Sequence, residues 1–531
     1  MAIRRSRHEF LHRSETNEQI EKVASADSLL VYAGAGASID RIGMDWSGLV
    51  TKLLTDYYNS SERAERIVER WGPLQAATIA CALYEKRKGA GLVRDTLRKF
   101  LYDVPAWRGG RLTRTIASLG SSRVSFGVLT TNFDDYLEQD LISACEEVRA
   151  TGGTREFRRL LRDDDEAVLA PGVISCSYLH GYIPDLDRPI DRGTQQDEPA
   201  VLSEANYMES SNRTVERLTA AFAESDVVIV GSSMTDPPLL QALYKTRKSG
   251  HERYAMLPLQ QWEYSGRRER HEIREEVTDR LADFGVEAVF PDFYFQVSQF
   301  LRECISCARH GPGSYASAGS EIRYGRRLLR WWKEWYESRS RNISDVQSDD
   351  HRFLMERLEL IRDALKSSKE ESLKLEVWLR WDPDNNRRLR LWASSTGTWP
   401  DINSMRDCEV DPDSEYACSK AFCHGRPILI GPQDQTRRSG EQSRWQRYFA
   451  CPIWLPRTGD EVPVGVVALA SMKREESTLS EENRKQLEIV RQFIEDAGEQ
   501  VARARAETLG VAPQASIGEV GKGEGNAESG R

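Results

Sequence analysis

Short apolar runs alternate with amphipathic stretches over residues 15–305. Residues 15–27 read as a charged helix leading into the run SLLVYA at Ser28, which passes directly into Gly-Ala-Gly-Ala-Ser. Between residues 47 and 120 the segments WSGLVTKLLTDYY, RAERIVERWG, LQAATIACALYEKRK and LVRDTLRKFLYD carry apolar positions at helical spacing. Strand-like runs return in SFGVLTTNFDD, GVISCSYLHGY and SDVVIVGSSMTDPPLLQAL, the last passing through Gly-Ser-Ser into a helix. ERYAMLPL is a further strand candidate, and FYFQVSQFLRECISCARHG reads as an amphipathic helix ending at Gly311. Runs that are apolar on both faces and alternate with helices predict an α/β, Rossmann-like parallel sheet covered on both sides. Ligands bind such sheets at the carboxyl ends of the strands.

The pattern changes after residue 310. GPGSYASAGS has linker composition, and RRLLRWWKEWYESRSR reads as a helix that docks between domains. From residue 351 a helix, HRFLMERLELIRDALKSS, precedes LKLEVWLRW. There Leu375, Val377, Leu379 and Trp381 share one strand face and the charges take the other. DPDNNR is turn chemistry and RLRLWAS the returning strand. RPILIG, RYFACPIWLP and VPVGVVALASM follow. A closing helix is expected with Ser480 as N-cap and a stripe of Leu487, Val490, Ile494, Ala497 and Val501. Helix, antiparallel strands and helix predict a separate α+β domain. The expected division is 1–310, 311–350 as linker and docking helix, 351–507, and a disordered tail at 508–531.

Composition narrows the class. A chain of 531 residues exceeds one core. No apolar run approaches the roughly 20 residues that span a bilayer, and MAIRRSRHEFLHRSE has no apolar segment behind its charges, so neither a membrane span nor a secretory signal is expected. A net charge of −9 argues against nucleic acid as the main partner. Nine cysteines without a framework point to reduced thiols and a cytoplasmic location. Cys304, Cys307 and His310 sit at turn spacing, but a structural zinc site needs four ligands and no second CxxC exists, so no metal is expected.

The candidate chemistry lies at the ends of the predicted strands. Gly34 and Gly36 leave room for a pyrophosphate against the backbone, with Ser38 adding a hydroxyl. Asn132, Asp134 and Asp135 end a second strand, His180 and Gly181 a third, and Gly231, Ser232 and Ser233 a fourth. Each has a plain alternative: a tight turn, a helix cap, a satisfied core histidine. Four such clusters at the ligand end of one sheet point instead to a site.

These motifs resemble the sirtuin-like family. GAGAS followed after three residues by IGMDW resembles its nucleotide loop, TTNFD its Thr-x-Asn-x-Asp motif, YLHG its histidine motif and GSSMTDPPL its ribose- and phosphate-contacting loop. The resemblance covers about residues 15–305 and implies NAD+ as the substrate. It implies catalytic roles for Asn132 and His180, with Asp134 at the nicotinamide carboxamide. Gly34, Ala35, Gly36, Ser38, Asp45, Trp46, Thr131, Gly231, Ser232 and Ser233 are implied to hold the rest of the dinucleotide. Two departures matter. The family's Gly-Ile-Pro-Asp-Phe-Arg reads here Ile42, Gly43, Met44, Asp45, Trp46 and Ser47, without the proline and arginine. No cysteine lies between His180 and Cys304, so the zinc module that helps form an acyl-lysine groove is missing. The chain looks instead like bacterial sirtuin-like effectors that hydrolyse NAD+ in anti-phage defence. A deacylase or ADP-ribosyltransferase, or a non-enzymatic NAD+ or ADP-ribose sensor, are the alternatives.

Residues 351–505 resemble a GAF domain through SKAFCHGRPILIG, RYFACPIWLP, VGVVALAS and the closing helix. That resemblance implies a sensor for a small nucleotide or a phage-derived trigger, and a homo-oligomer. Cys408, Cys418, Cys423 and Cys451 read as small buried residues, with redox sensing or chromophore attachment as the other reading.

Overall fold

The computed structural model describes residues 10–503 apart from 89–91, 105–108, 163, 165, 188–197, 259–266, 317–322, 341–342, 383–384, 400, 402–403, 412–413, 415, 433–443 and 458–459. Seven strands form the first sheet: β1 (Ser28–Ala33), β2 (Ser125–Thr130), β3 (Glu156–Leu160), β4 (Val173–Tyr178), β5 (Asp226–Val230), β6 (Arg253–Met256) and β7 (Glu287–Val289). Their order is β3-β4-β2-β1-β5-β6-β7, and every pairing is parallel. Leu29, Leu30 and Val31 in β1 and Val227 and Val228 in β5 are all 0% exposed, so helices cover both faces, as the apolar runs predicted. The two edge strands, β3 and β7, were not anticipated. β3 reads EFRRL, and its two arginines hide the apolar signal; β7 has only three residues.

The chain leaves β1 to one side, toward β2, and later adds β5 on the other. A crevice therefore opens at the carboxyl end of β1, where the order reverses. Helices Trp46–Tyr58, Ser61–Trp71, Pro73–Lys88 and Leu92–Tyr102 are inserted between β1 and β2. They enclose their own core, including Leu53, Leu54, Ala77 and Leu97. Phe133 and Tyr136, which follow β2, reach into that core and seat the insert over the strand ends. Asp135 ties it further, accepting from the Tyr102 hydroxyl at 2.9 Å and the Asp185 N–H at 2.9 Å.

The second sheet is antiparallel, ordered β10-β9-β8-β13-β12-β11. Its strands are β8 (Leu373–Asp382), β9 (Asn385–Ser394), β10 (Asp407–Glu409), β11 (Ile428–Ile430), β12 (Arg447–Arg457) and β13 (Asp460–Ser471). With its flanking helices this is the α+β unit expected. The β8 face expected to carry the charges is covered as well. Leu375, Val377 and Leu379 are fully buried, and so are Arg380 and, within 4%, Lys374, Trp378 and Glu376. Those charges persist by pairing: Lys374 Nζ meets Glu376 at 2.6 Å and Arg380 donates to the Tyr324 hydroxyl at 2.9 Å. The closing helix, Arg484–Ala502, buries the predicted stripe from Leu487 to Val501. Ser480 instead flanks a 3₁₀ turn, Glu481–Asn483, and caps nothing with its side chain; Asn483 stands at the α-helix N-cap.

The tryptophan-rich segment is the helix Tyr324–Ser340. Trp335 is fully buried and lies 4.8 Å from Trp392 of β9, edge to face. Trp331 and Trp335 donate their indole N–H groups to the carbonyls of Ala502 and Val501, at 2.8 and 3.1 Å. These two bonds satisfy carbonyls at the end of the closing helix that have no intrahelical partner.

The two sheets meet beside the crevice. In the helix Phe295–His310 and the turn before it, Phe293 and Phe295 enter the core of the second sheet against Phe422. Arg426 donates to the Ile39 carbonyl at 3.2 Å, Arg111 lies over the Trp454 ring at 3.6 Å, and Arg484 pairs with Asp103 at 2.8 Å. Among the described residues, no helix is long and apolar enough to cross a membrane. Cys304 and Cys307 are buried in the core that joins the helices Ser14–Ser25 and Phe295–His310.

Candidate functional site

A cleft of about 690 Å³ opens at the carboxyl ends of β1, β2, β4 and β5. Every residue given a catalytic or dinucleotide-holding role from the sequence lines it except Ser38. The loop after β1 and the loop after β5 form one wall by packing backbone on backbone. Gly34 N–H donates to the Val230 carbonyl and Gly36 N–H to the Gly231 carbonyl, both at 2.9 Å. A Cβ on Gly34 would lie 2.5 Å from the Gly231 oxygen, and one on Gly36 2.8 Å from the Gly231 Cα. Gly231 itself has φ +63°, and a Cβ there would lie 2.3 Å from the Ala37 nitrogen. The glycines are thus fixed first by this loop crossing. Both their N–H groups and the space of their missing Cβ atoms are taken up by this crossing, so the room expected there for a pyrophosphate is filled by the loop after β5.

Behind the loop, Ser38 is fully buried and connects two residues from the end of β2. Its hydroxyl donates to Asp134 Oδ1 at 3.1 Å and accepts from Asn132 Nδ2 at 2.9 Å. A hydroxyl has one proton, and an ionised carboxylate can only accept. The Ser38 proton therefore goes to Asp134, Asn132 must present its NH₂ to Ser38, and the Asn132 carbonyl oxygen turns away. That oxygen is buried and has no hydrogen-bond partner among the described residues. An acceptor left open in this way calls for a donor from a ligand or water.

Burial pushes the Asp134 carboxyl up to about 6, against the opposing pull of the Ser38 hydroxyl, the Tyr136 N–H and Arg41. Burial likewise lifts Asp135 to about 7, with the charges of Asp134 and Glu138 adding to the rise. Asp134 is ionised at neutral pH, which holds the Ser38–Asn132 orientation as described.

His180 follows β4 and faces the same cleft. Desolvation pushes its pKa down, Asp236 pulls it up and Arg162 adds to the fall, so the neutral imidazole prevails at pH 7. Its carbonyl accepts from Val201 N–H at 2.7 Å, and Gly181, at φ +98°, turns the chain where a Cβ would meet the Pro199 oxygen at 2.4 Å. Asp45 lines the cleft but also caps the helix Trp46–Tyr58, accepting from Gly48 N–H at 2.8 Å. Trp46 stands edge-on to Phe133, centroids 6.1 Å apart. Ser232 accepts from Met234 N–H, and Ser233 shares a hydrogen bond with Thr235 at 2.7 Å.

The cleft also holds residues the sequence reading did not single out. Tyr32, Tyr207, Asp236 and Tyr294 line it. Asp236 lies inside GSSMTDPPL, at the N-cap position before two prolines, where the motif itself marks it. Tyr207 lies on the helix Glu204–Ala223, far from any motif, and nothing in the sequence marks it. Tyr294 sits between Phe293 and Phe295, so neighbouring side chains of one segment serve the cleft and the second sheet's core. Cys408, Cys418, Cys423 and Cys451 of the α+β unit are buried thiols, with the Cys408 and Cys418 sulfurs 3.6 Å apart.

Together these groups can do three things. They can line a cavity with backbone and small side chains, present a fixed carbonyl acceptor to a hydroxyl or water, and take up a proton at an imidazole. Among the solved structures that resemble the chain are two at 13% identity each. One is titled as describing the mechanism and regulation of Sir2 enzymes; it covers 56% of this chain and 98% of its own, with a TM-score of 0.29. The other is titled as a Sir2 homolog–NAD complex; it covers 57% of this chain and 97% of its own, with a TM-score of 0.32. No curated protein matches the sequence. Residues 127–287, from β2 to β7, match the family model described as a SIR2-like domain.

Proposed function

We propose that this chain is an NAD+ glycohydrolase, cleaving NAD+ to nicotinamide and ADP-ribose. The observation that carries the reading is the unpartnered carbonyl of Asn132, fixed by Ser38 and Asp134 on a residue that lines the same cleft as His180. The SIR2-like match over residues 127–287 supplies the cofactor class.

In this reading the C–N bond between ribose and nicotinamide breaks and its electron pair leaves with nicotinamide. Positive charge grows at the anomeric carbon, and water forms the new C–O bond there. Asn132 accepts a hydrogen bond from the attacking water or the ribose hydroxyl and so fixes its angle. The neutral imidazole of His180 takes the proton that water gives up. The ionised Asp134 keeps the Asn132 amide in its productive orientation. The pyrophosphate lies in the cleft beside the crossed glycine loops, with Ser232 and Ser233 at its edge.

The reading extends to a regulated effector of anti-phage defence, governed by the C-terminal α+β unit. What supports control by that unit is contact: Arg426 reaches the Ile39 carbonyl beside the glycine loop, and Phe293 and Phe295 flank Tyr294 of the cleft. The test is nicotinamide release by the purified full chain beside Asn132→Ala and His180→Ala. A loss of about 10²–10⁴-fold is expected in each. Turnover unchanged in both variants would remove this mechanism.

A further inference from the structure

Asp236 occupies a position that usually serves a helix. It precedes Pro237 at the N-cap of the helix Pro237–Thr246, yet makes no side-chain capping bond. Its carboxylate accepts instead from two phenols in the cleft. The Tyr207 hydroxyl donates to Oδ1 and the Tyr32 hydroxyl to Oδ2, the latter at 3.4 Å. The Tyr207 ring in turn packs T-shaped with the His180 imidazole, centroids 5.8 Å apart and planes at 69°. Three separate parts of the chain are thereby joined: β1 through Tyr32, the helix Glu204–Ala223 through Tyr207, and the loop after β5 through Asp236. All three side chains, and His180, line the same cavity.

A carboxylate that leaves its helix to hold two phenols has a role in the cleft. We propose that Tyr207 and Asp236 are positioning residues for His180: Tyr207 fixes the plane of the imidazole, and Asp236 fixes Tyr207 and supplies the negative charge that steadies His180 when it holds a proton. A T-shaped ring contact limits the rotation of the imidazole, and neither of its ring nitrogens has a hydrogen-bond partner among the described residues. The Asp236 charge favours the imidazolium, whereas burial and Arg162, itself paired with Glu198 at 3.5 Å, oppose it. Tyr32 and Tyr207 keep their protons, because burial and the Asp236 charge both push their pKa values up. They therefore remain donors to Asp236 across the working pH range.

The inference rests on the hydrolase reading only for its rate predictions, so the test includes a readout that needs no turnover. His180 is followed by NMR in protein carrying ¹³C-labelled histidine, with His180→Gln assigning the signal. Asp236→Asn keeps the shape and removes the charge; the His180 titration midpoint is expected to fall by roughly 0.5–1 unit. Tyr207→Phe keeps the ring and releases Asp236; a smaller change in midpoint is expected. Tyr207→Leu removes the ring, and kcat for NAD+ cleavage is expected to fall by about 10-fold or more with KM little changed. An unshifted His180 midpoint in Asp236→Asn would overturn the inference even if the chain cleaves NAD+. A shifted midpoint in a chain that leaves NAD+ intact would uphold the electrostatic part and overturn the hydrolase reading.

Discussion

Replacing Asp134 by asparagine should make the protein more stable while impairing its site, and the gain should depend on pH. The Asp134 side chain is 2% exposed, and burial raises its pKa from 3.8 to about 6. A folded-state pKa above the unfolded one means the ionised form is disfavoured by folding. The cost is fully present above about pH 6, shrinks as the folded form takes up a proton, and vanishes below about pH 4, where both states are protonated. The rise amounts to about 3 kcal/mol at neutral pH. The side-chain amide of the Asp134→Asn variant can keep both bonds made to Oδ1, from the Ser38 hydroxyl at 3.1 Å and the Tyr136 N–H at 3.2 Å, while carrying no charge. Loss of the charge also relieves Asp135, whose pKa Asp134 helps to raise. Urea denaturation at pH 7.5 and pH 5 is the assay. The variant should gain up to about 3 kcal/mol at pH 7.5 and roughly half of that at pH 5. A destabilised variant, or a gain equal at both pH values, would refute the claim that Asp134 is a buried charge held at a cost.

Other expectations follow from the packing. Gly231→Ala forces a Cβ to within 2.3 Å of the Ala37 nitrogen at φ +63°, and should cost more than about 1–3 kcal/mol in denaturation and open the cleft wall. Trp335→Ala removes a fully buried indole that packs edge to face on Trp392 and bonds the Val501 carbonyl, a loss of about 3–5 kcal/mol by urea titration of the C-terminal sheet's fluorescence. Burial pushes the thiols of Cys176, Cys304, Cys418 and Cys451 well up, so at pH 8 these should resist a thiol reagent in native protein and react once it is unfolded.

The parallel sheet was legible because its central strands are apolar on both faces and end in small or polar residues. Leu29 to Ala33 and Val227 to Val230 could not be read otherwise. Edge strand β3 was hidden because Arg158 and Arg159 serve ion pairs, with Glu166 and Glu138, rather than a core. In β8 the alternation of Lys374, Glu376 and Arg380 with leucine and valine suggested a wet face. Lys374 and Glu376 are buried as a pair, two residues apart on one strand, with Arg406 also on Glu376, and Arg380 donates to the Tyr324 hydroxyl; the partners Arg406 and Tyr324 come from outside the strand and leave no local mark. At the site, the motifs pointed to strand ends, and the fold brings Asn132, His180 and the glycines from those ends to one cleft. What spacing could not tell is division of labour. Ser38 lies behind the cleft wall, holding Asn132, and Gly34 and Gly36 answer first to the opposing loop. Tyr207 joins the site through tertiary contacts alone, packing on His180 and donating to Asp236, and no spacing encodes them.

The central claim is that water is the acceptor in a reaction that consumes NAD+. It is tested most directly by a product balance on the purified full chain, with and without an acetyl-lysine peptide. The account predicts nicotinamide and free ADP-ribose in equal amounts, unaffected by the peptide, and both products reduced about 10²–10⁴-fold in Asn132→Ala. Persistence of intact NAD+ bound to the protein, or nicotinamide released only with the peptide and accompanied by an acylated ADP-ribose, would contradict it.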